Sequence, residues 1–433
     1  MKKIYFTALV LGAVLTTKAQ VYDVGSFAQV VDISNTGTAV GNIFGMASFM
    51  WTENGEPIII GEASESGASG NQTISADGSL ISCSVVNPDT GIEVAALYRP
   101  LEDEWIYLEG LGVFLDDGES SSWGMSSNGE HVVGLSWASG GTAHGVYWNY
   151  PSPVVDLGST VTGRSTRANN VNADGTRIIG WQDSDFGDRQ GVYWENGEQH
   201  FLTDNDGNIL GEPNGISADG KTITGFSLDR VGYIWNEDEG TILYNPNADD
   251  PFADEFFTSI AAISDDGTVA VGFSFNPFVE GILDGSAFIW TQEDGFRNLN
   301  EYISELGYDT LGIDFAIADA ISPDGKYIGG IGVNQDLQDA RGFVIKLPEG
   351  SMGTNDVTSV DTISIFPNPA QDYINFSSKY TIQNVEIYNS LGQQVMNSNA
   401  VNQSLNIGDL SNGIYILKAQ TEKGSQIIKF IKK

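Results

Sequence analysis

From about residue 28 to residue 347 the chain runs in short apolar stretches broken by brief polar turns. Regularly spaced heptad or amphipathic helical patterns are hard to find. The apolar runs come in pairs around one kind of turn. "GISADGKTITGF" starts at Gly215, and close copies read "TISADGSLISCS" from Thr73, "GMSSNGEHVVGL" from Gly124 and "NVNADGTRIIGW" from Asn170. Two more read "AISDDGTVAVGF" from Ala262 and "AISPDGKYIGGI" from Ala320, and a weaker one, "DISNTGTAVGN", starts at Asp32. Asp or Asn before Gly, between alternating apolar runs, is a hairpin signal. The short polar side chain bonds back to the backbone, and Gly accepts the positive φ that other residues resist. In the last copy Pro323 holds the second turn position, where its fixed φ fits.

The turn glycines Gly37, Gly78, Gly129, Gly175, Gly220, Gly267 and Gly325 lie 41 to 58 residues apart, a period that suits propeller blades better than helical solenoids. A third run follows each hairpin and ends on Trp51, Trp148, Trp194, Trp235 or Trp290, with Arg99 and Ile345 in that slot in the second and seventh copies. A polar turn and a fourth short run come next, such as "PIII", "QHFL", "TILY" and "FRNL". Four strands per unit is the content of a blade, and radial stacking buries both faces of each sheet. The expected fold is therefore all-β: a seven-bladed β-propeller over residues 20–347. Its seventh unit lacks a fourth run, but "VYDVGS" at 21–26 resembles "VVDLGS" at 154–159. The N-terminal segment is expected to supply the missing outer strand and so remove an open edge.

Composition fits this picture. Gly is abundant, and Cys83 is the only cysteine, so no intramolecular disulfide can form. The net charge of −37 excludes a nucleic-acid binder, which needs clustered Lys and Arg. The charge is also uneven. Residues 364–433 carry six Lys and four acids, about +2, whereas residues 20–363 carry eleven basic and 53 acidic groups, −42. That break places a linker at 348–363 and a separate tail at 364–433, read as a small immunoglobulin-like β-sandwich. At the other end, residues 1–19 have a basic start at Lys2 and Lys3, an apolar stretch and a small-residue exit, which read as a signal peptide cleaved between Ala19 and Gln20. No apolar run is long enough to span a membrane, so the mature chain is expected to be exported and to have no transmembrane segment.

The repeats resemble the extracellular HAF repeat family, whose units read roughly A-x-I-S-x-D-G…G-x-A-F-x-W. The resemblance covers about residues 21–347, and His144 in "AHGVYW" keeps the family's namesake histidine. Asn172 in place of Ser and Thr36 in place of Asp depart from it. The family shares no established activity, so the resemblance implies a fold and an extracellular location. The tail resembles the type A C-terminal sorting domain of the type IX secretion system of Bacteroidetes-type bacteria. The matching residues are Phe366, Pro367, Asn368 and Pro369, the turn at Leu391 and Gly392, and Gly413 and Tyr415 in "SNGIYIL". That resemblance implies handling by the type IX secretion machinery and delivery to the outer cell surface or the medium.

Motifs for catalysis are sparse. The three histidines fall in different units, and no H-E-x-x-H, G-x-S-x-G, Walker A or dinucleotide signature occurs. No catalytic residue and no cofactor is expected. Structural calcium is the one metal the acidic loops would suit, with Asp204 and Asp206 in "DNDGN" as its candidates. Gly207 falls too early there for an EF-hand, and solvated turns are the simpler reading. Trp123, Trp137 and Trp181 lie outside the common aromatic slot and are the candidates for stacking on a ligand, with core packing as their ordinary role. The leading expectation is a non-catalytic surface or secreted binding protein whose propeller loops engage a glycan or a protein. A polysaccharide-active hydrolase and a purely structural surface component are the alternatives.

Overall fold

The computed structural model describes residues 20–43, 47–53, 55–62, 70–112, 119–138, 141–278, 281–348, 364–366, 370–377, 382–389, 393–401, 404–421 and 424–433. The chain divides into two compact units between Gly353 and Thr354. Residues 1–19, with Ala19 of the expected cleavage site, and most of the expected linker lie outside the described residues. Gln20 opens the first described strand.

The larger unit is a propeller-like set of antiparallel sheets, each of four strands. Sheets 1 to 6 occupy residues 28–62, 73–107, 120–158, 166–201, 213–244 and 257–298, with strands hydrogen-bonded in chain order. Sheet 7 takes three strands from residues 313–346, and its fourth is Gln20–Ser26. That strand pairs antiparallel with Asp339–Lys346, from Gln20 opposite Lys346 to Ser26 opposite Arg341. The side chains of Arg341 and Asp23 lock the pair, with Nη2–H donating to Oδ2 at 2.7 Å. One short helix, α1 (Leu299–Glu305), follows sheet 6 and buries Leu299, Tyr302 and Ile303.

Each neighbouring pair of sheets shares its own apolar layer. Tyr22, Val24, Phe49 and Trp51 pack between sheets 7 and 1, and Val40, Ile74, Ile81 and Tyr98 between sheets 1 and 2. The series continues around the unit to the layer of Val269, Ile289, Phe315 and Phe343 between sheets 6 and 7. The third-strand tryptophans sit in these layers as expected for packing residues, Trp148 against sheet 2 and Trp194 against sheet 3. One assignment changes. Ile81 pairs with Tyr98 as Val132 pairs with Trp148, so Tyr98 fills the aromatic slot of sheet 2 and Arg99 points outward to Glu104 at 2.8 Å.

The repeated turn performs two tasks. Its glycines all adopt positive φ, from 72° to 79°, and the Asp at the third position accepts from the Ser before it and the backbone beyond it. In sheet 2, Asp77 Oδ1 accepts from Ser75 Oγ at 2.7 Å and from Ser79 N at 2.9 Å. The departures from the pattern keep the bond: Asn172 Nδ2 donates to Asp174 at 2.9 Å, Ser126 Oγ donates to Asn128 Oδ1 at 2.6 Å, and Ser34 and Thr36 hydroxyls bond at 2.8 Å. The turn residue after Ser then joins one sheet to the next. Asn35 N donates to Ala76 O, Ala76 N to Ser127 O, Ala173 N to Ala218 O, Ala218 N to Asp265 O, and Asp265 N to Pro323 O, at 2.7–3.2 Å. Asp324 N donates to the Asn35 side chain at 2.8 Å, linking sheet 7 to sheet 1. All these turns therefore share one end of the unit. Antiparallel pairing sends the second-to-third loops and the connections between sheets to the opposite end.

The smaller unit packs a three-stranded sheet (Ser364–Phe366, Tyr373–Ser377, Ser404–Asn406) with a four-stranded one (Ile382–Asn389, Gln394–Val401, Gly413–Thr421, Gly424–Lys432). Ile374, Val385, Ile387, Leu417 and Phe430 fill its core. Of the residues matching the sorting motif, Gly413 opens a strand opposite Lys432. Tyr415 is buried against Phe430, and its hydroxyl donates to Ser411 O at 2.8 Å. Phe366 ends a strand, while Pro367, Asn368, Pro369, Leu391 and Gly392 lie outside the described residues.

Candidate functional site

The first strand of each sheet lines a central cavity of about 380 Å³, and a repeated irregularity selects which side chains line it. In six sheets the first strand carries a β-bulge three residues before the first residue of the turn motif. The unpaired residues are Val31, Trp123, Asn169, Asn214, Ala261 and Asp319. A bulge places two residues opposite one and re-aims a side chain, and all six line the cavity. The second strand makes room for it. At Gly41, Gly134, Gly180, Gly225, Gly272 and Gly330 a Cβ would overlap a first-strand carbonyl oxygen, of Gln29, Ser121, Arg167, Glu212, Ser259 and Ile317 respectively. Sheet 2 has Cys83 at the matching position, and its short first strand, Thr73–Ile74, pairs without a register shift. Gln72 occupies the equivalent lining position there.

The lining is rich in amides, and several of them tie one sheet to a neighbour. Gln29 Nε2 donates to Asp319 Oδ2 at 2.6 Å, Gln72 Nε2 to Ser48 Oγ at 2.9 Å, and Asn214 Nδ2 to Ser259 Oγ at 3.0 Å. Asn169 Nδ2 donates to Glu212 Oε1 at 3.0 Å and to Pro213 O at 2.8 Å. Gln29, Gln72 and Asn214 each use one of two N–H donors in these bonds, whereas Asn169 uses both and its Oδ1 accepts from Arg167 Nε at 2.8 Å.

One wall carries a charged aromatic cluster. The Arg167 guanidinium lies 3.5 Å from the centroid of Trp123 and 5.2 Å from that of Trp181. Arg167 is also ion-paired with buried Glu212, whose other oxygen accepts from Arg189 at 2.9 Å. Burial lowers the Arg167 pKa to about 10, and the Glu212 charge opposes that fall. The other wall holds carboxyls from sheets 1, 6 and 7. Burial pushes Asp32 up to about 7, although Ile74 and Ile33 N–H groups donate to it at 2.8 Å and resist the shift. Burial likewise raises Asp319 to about 6. It raises Asp265 too, against the lowering effect of Ser127 of sheet 3.

The three singled-out tryptophans separate. Trp123 is half-buried on the cavity wall, with Nε1–H donating to Ser121 Oγ at 2.9 Å. Trp181 is buried behind it between Arg167 and Arg189, so it acts through packing rather than as an open platform. Trp137 ends the second strand of sheet 3 and does not line the cavity. Asp204 and Asp206 lie in an exposed turn where Asp204 Oδ1 accepts from Asp206 N and Asn208 N at 2.9 and 2.8 Å. Among the described residues no group of three or more His, Cys, Asp or Glu is placed to hold a metal ion. The bulge residues other than Trp123 escaped the sequence reading because they share no residue type. Their constant offset before each turn motif was the available signal.

Residues 364–433 match the secretion system C-terminal sorting domain, which implies export to the cell surface or secretion. No curated protein matches the chain. Among solved structures, the chain is similar to a chain of the mitotic checkpoint complex, at 15% identity and a TM-score of 0.44, covering 79% of this chain and 98% of that one. It is similar to the Myceliophteria thermophila Cps50 (Swd1) β-propeller domain, at 10% identity and a TM-score of 0.46, covering 75% and 98%. It is also similar to TolB from Acinetobacter baumannii, at 16% identity and a TM-score of 0.41, covering 63% and 64%. The chain is thus an all-β exported protein, a propeller-like unit of four-stranded sheets carrying a C-terminal type IX sorting tail.

Proposed function

We propose that this is a non-catalytic binding protein of the cell surface or medium. Its larger unit is a seven-bladed propeller of HAF-type repeats, and its central cavity takes the end of a glycan without a cofactor. The observation that carries the reading is the set of amide side chains, Gln29, Gln72, Asn170 and Asn214, gathered on one cavity beside Trp123. Fixed amides offer donor and acceptor together, which matches sugar hydroxyls, and an indole offers an apolar surface to a sugar ring. The test is affinity electrophoresis of the full chain against soluble polysaccharides, with an assay for new reducing ends on the same samples. Retardation without cleavage is expected, weakened about tenfold by Trp123→Ala or Asn214→Ala, a loss of roughly 1.4 kcal/mol. No retardation by any polysaccharide would leave the structural role.

A second reading, a polysaccharide-active hydrolase, is favoured by one observation: Asp32 and Asp319 share the cavity and hold their protons to higher pH than ordinary carboxyls. Acid catalysis on a glycosidic bond uses a carboxyl raised in this way. Against it, both Asp32 oxygens already accept backbone N–H groups. New reducing ends that vanish in Asp319→Asn would replace the binding reading with this one.

A further inference from the structure

The end of the larger unit opposite the turn motifs has a distinct surface. On four successive sheets the second-to-third loop presents a large apolar side chain to solvent: Phe186 (95% exposed), Leu228 (49%), Phe278 (68%) and Leu337 (61%). The connections from sheet 5 to 6 and from sheet 6 to 7 add Phe252 and Leu311, also exposed. The turns at the other end expose only Leu101 and Tyr150 of this kind among the described residues. Exposed apolar surface rimmed by polar residues is a mark of interaction sites, and here the apolar side chains gather at one end.

These tips are held outward by their own loops. Ser184 Oγ accepts from Phe186 N at 3.1 Å, Asn276 Oδ1 from Phe278 N at 2.9 Å, and Asn334 Oδ1 from Leu337 N at 2.9 Å. Loops already ordered lose little entropy when they bind. Acidic residues interleave with the apolar ones, as in "DSDFGD" at 183–188, "DDPFADE" at 249–255 and "DLQD" at 336–339. The cations at this end include Arg164, Arg189, Arg230 and Arg341, and each is engaged: with the Asp185 carbonyl, with Glu212, with the Phe278 ring centroid at 5.5 Å, and with Asp23 and Asp339.

We infer that this loop face of sheets 4 to 7 docks a cationic, partly apolar polypeptide. Charge complementarity selects the partner: the acidic rim steers a basic chain inward and repels anionic surfaces, and the apolar tips then supply contact area. The face lies outside the cavity and stands independently of what the cavity binds.

The experiment uses the full chain and a labelled synthetic peptide of alternating Lys and Leu, followed by fluorescence anisotropy. Binding is expected, weakening as salt rises. It should fall about tenfold in Phe186→Ser/Phe278→Ser/Leu337→Ser and hold in Leu101→Ser/Tyr150→Ser at the opposite end. All five side chains are exposed, so matching thermal melts would show both variants folded. The inference is overturned by absence of binding, by a triple variant that binds like the parent, or by a Lys-only peptide of equal length binding as tightly. Co-sedimentation with neutral phosphatidylcholine vesicles, lost in the same triple variant, would replace the polypeptide with a lipid surface.

Discussion

Asp32 shows how one residue type takes its character from its place. Its sequence neighbours mark it as a turn-proximal strand residue, and nothing in "VVDIS" announces a carboxyl titrating near neutrality. Burial beside the cavity raises its pKa to about 7, against 3.8 for a free carboxyl. A carboxyl that holds its proton more tightly when folded stabilises the fold fully below the unfolded pKa. That contribution is lost as pH rises through the folded value. Melting temperature is therefore expected to fall between about pH 4 and 7 on account of Asp32, with Asp319 acting in the same direction up to about 6. His131, lowered by burial, slopes the other way, so the readout is the difference between the parent and Asp32→Asn. The variant should melt with a flatter pH profile over that window, and parallel profiles would contradict the assignment. Cys83 makes the same point in reverse: its strand-like setting identified it as a buried hydrophobe, and burial indeed pushes its thiol up to about 12.

Among elements, the pairing of a bulged first strand with a glycine on the second recurs in six sheets. Each glycine lets a carbonyl approach that a Cβ would block, and the bulge then directs its side chain inward. Gly180→Ala should accordingly cost about 1–3 kcal/mol, as overpacking of a close contact does, and should disturb Arg167 and Asn169 on the cavity wall. Cys83→Ala, at the position that already carries a side chain, should stay within about 1 kcal/mol. Chemical denaturation of the two variants compares them directly, and equal costs would break the link between glycine and bulge. The hairpins themselves were legible in the sequence, because Asp-Gly between alternating runs constrains both turn and pairing locally. The bulges were not, since they depend on register between strands. Tyr98 was misplaced by one residue for the same reason.

For the whole molecule, the decisive element is the strand Gln20–Ser26 on sheet 7. It buries Val21, Tyr22 and Val24, so removing it should cost on the order of 5 kcal/mol and leave Asp339–Lys346 as an open edge prone to self-association. A chain lacking residues 20–26 is expected to melt earlier and scatter light on warming, and a peptide of that sequence added in trans should reverse both. Unchanged melting would mean that the strand closes nothing. The sequence by itself determined the repeat, the glycine turns, the N-terminal strand's partner and the compositional break before the tail. Each of these rests on local patterns: turn chemistry, strand alternation, likeness between short strings and charge. Only the tertiary structure decided that Val31, Gln72, Trp123, Asn169, Asn214, Ala261 and Asp319 share one cavity, and that the apolar tips of sheets 4 to 7 share one end. Those residues lie tens of positions apart and follow no common type, so their meeting depends on how the sheets pack, which no local pattern records.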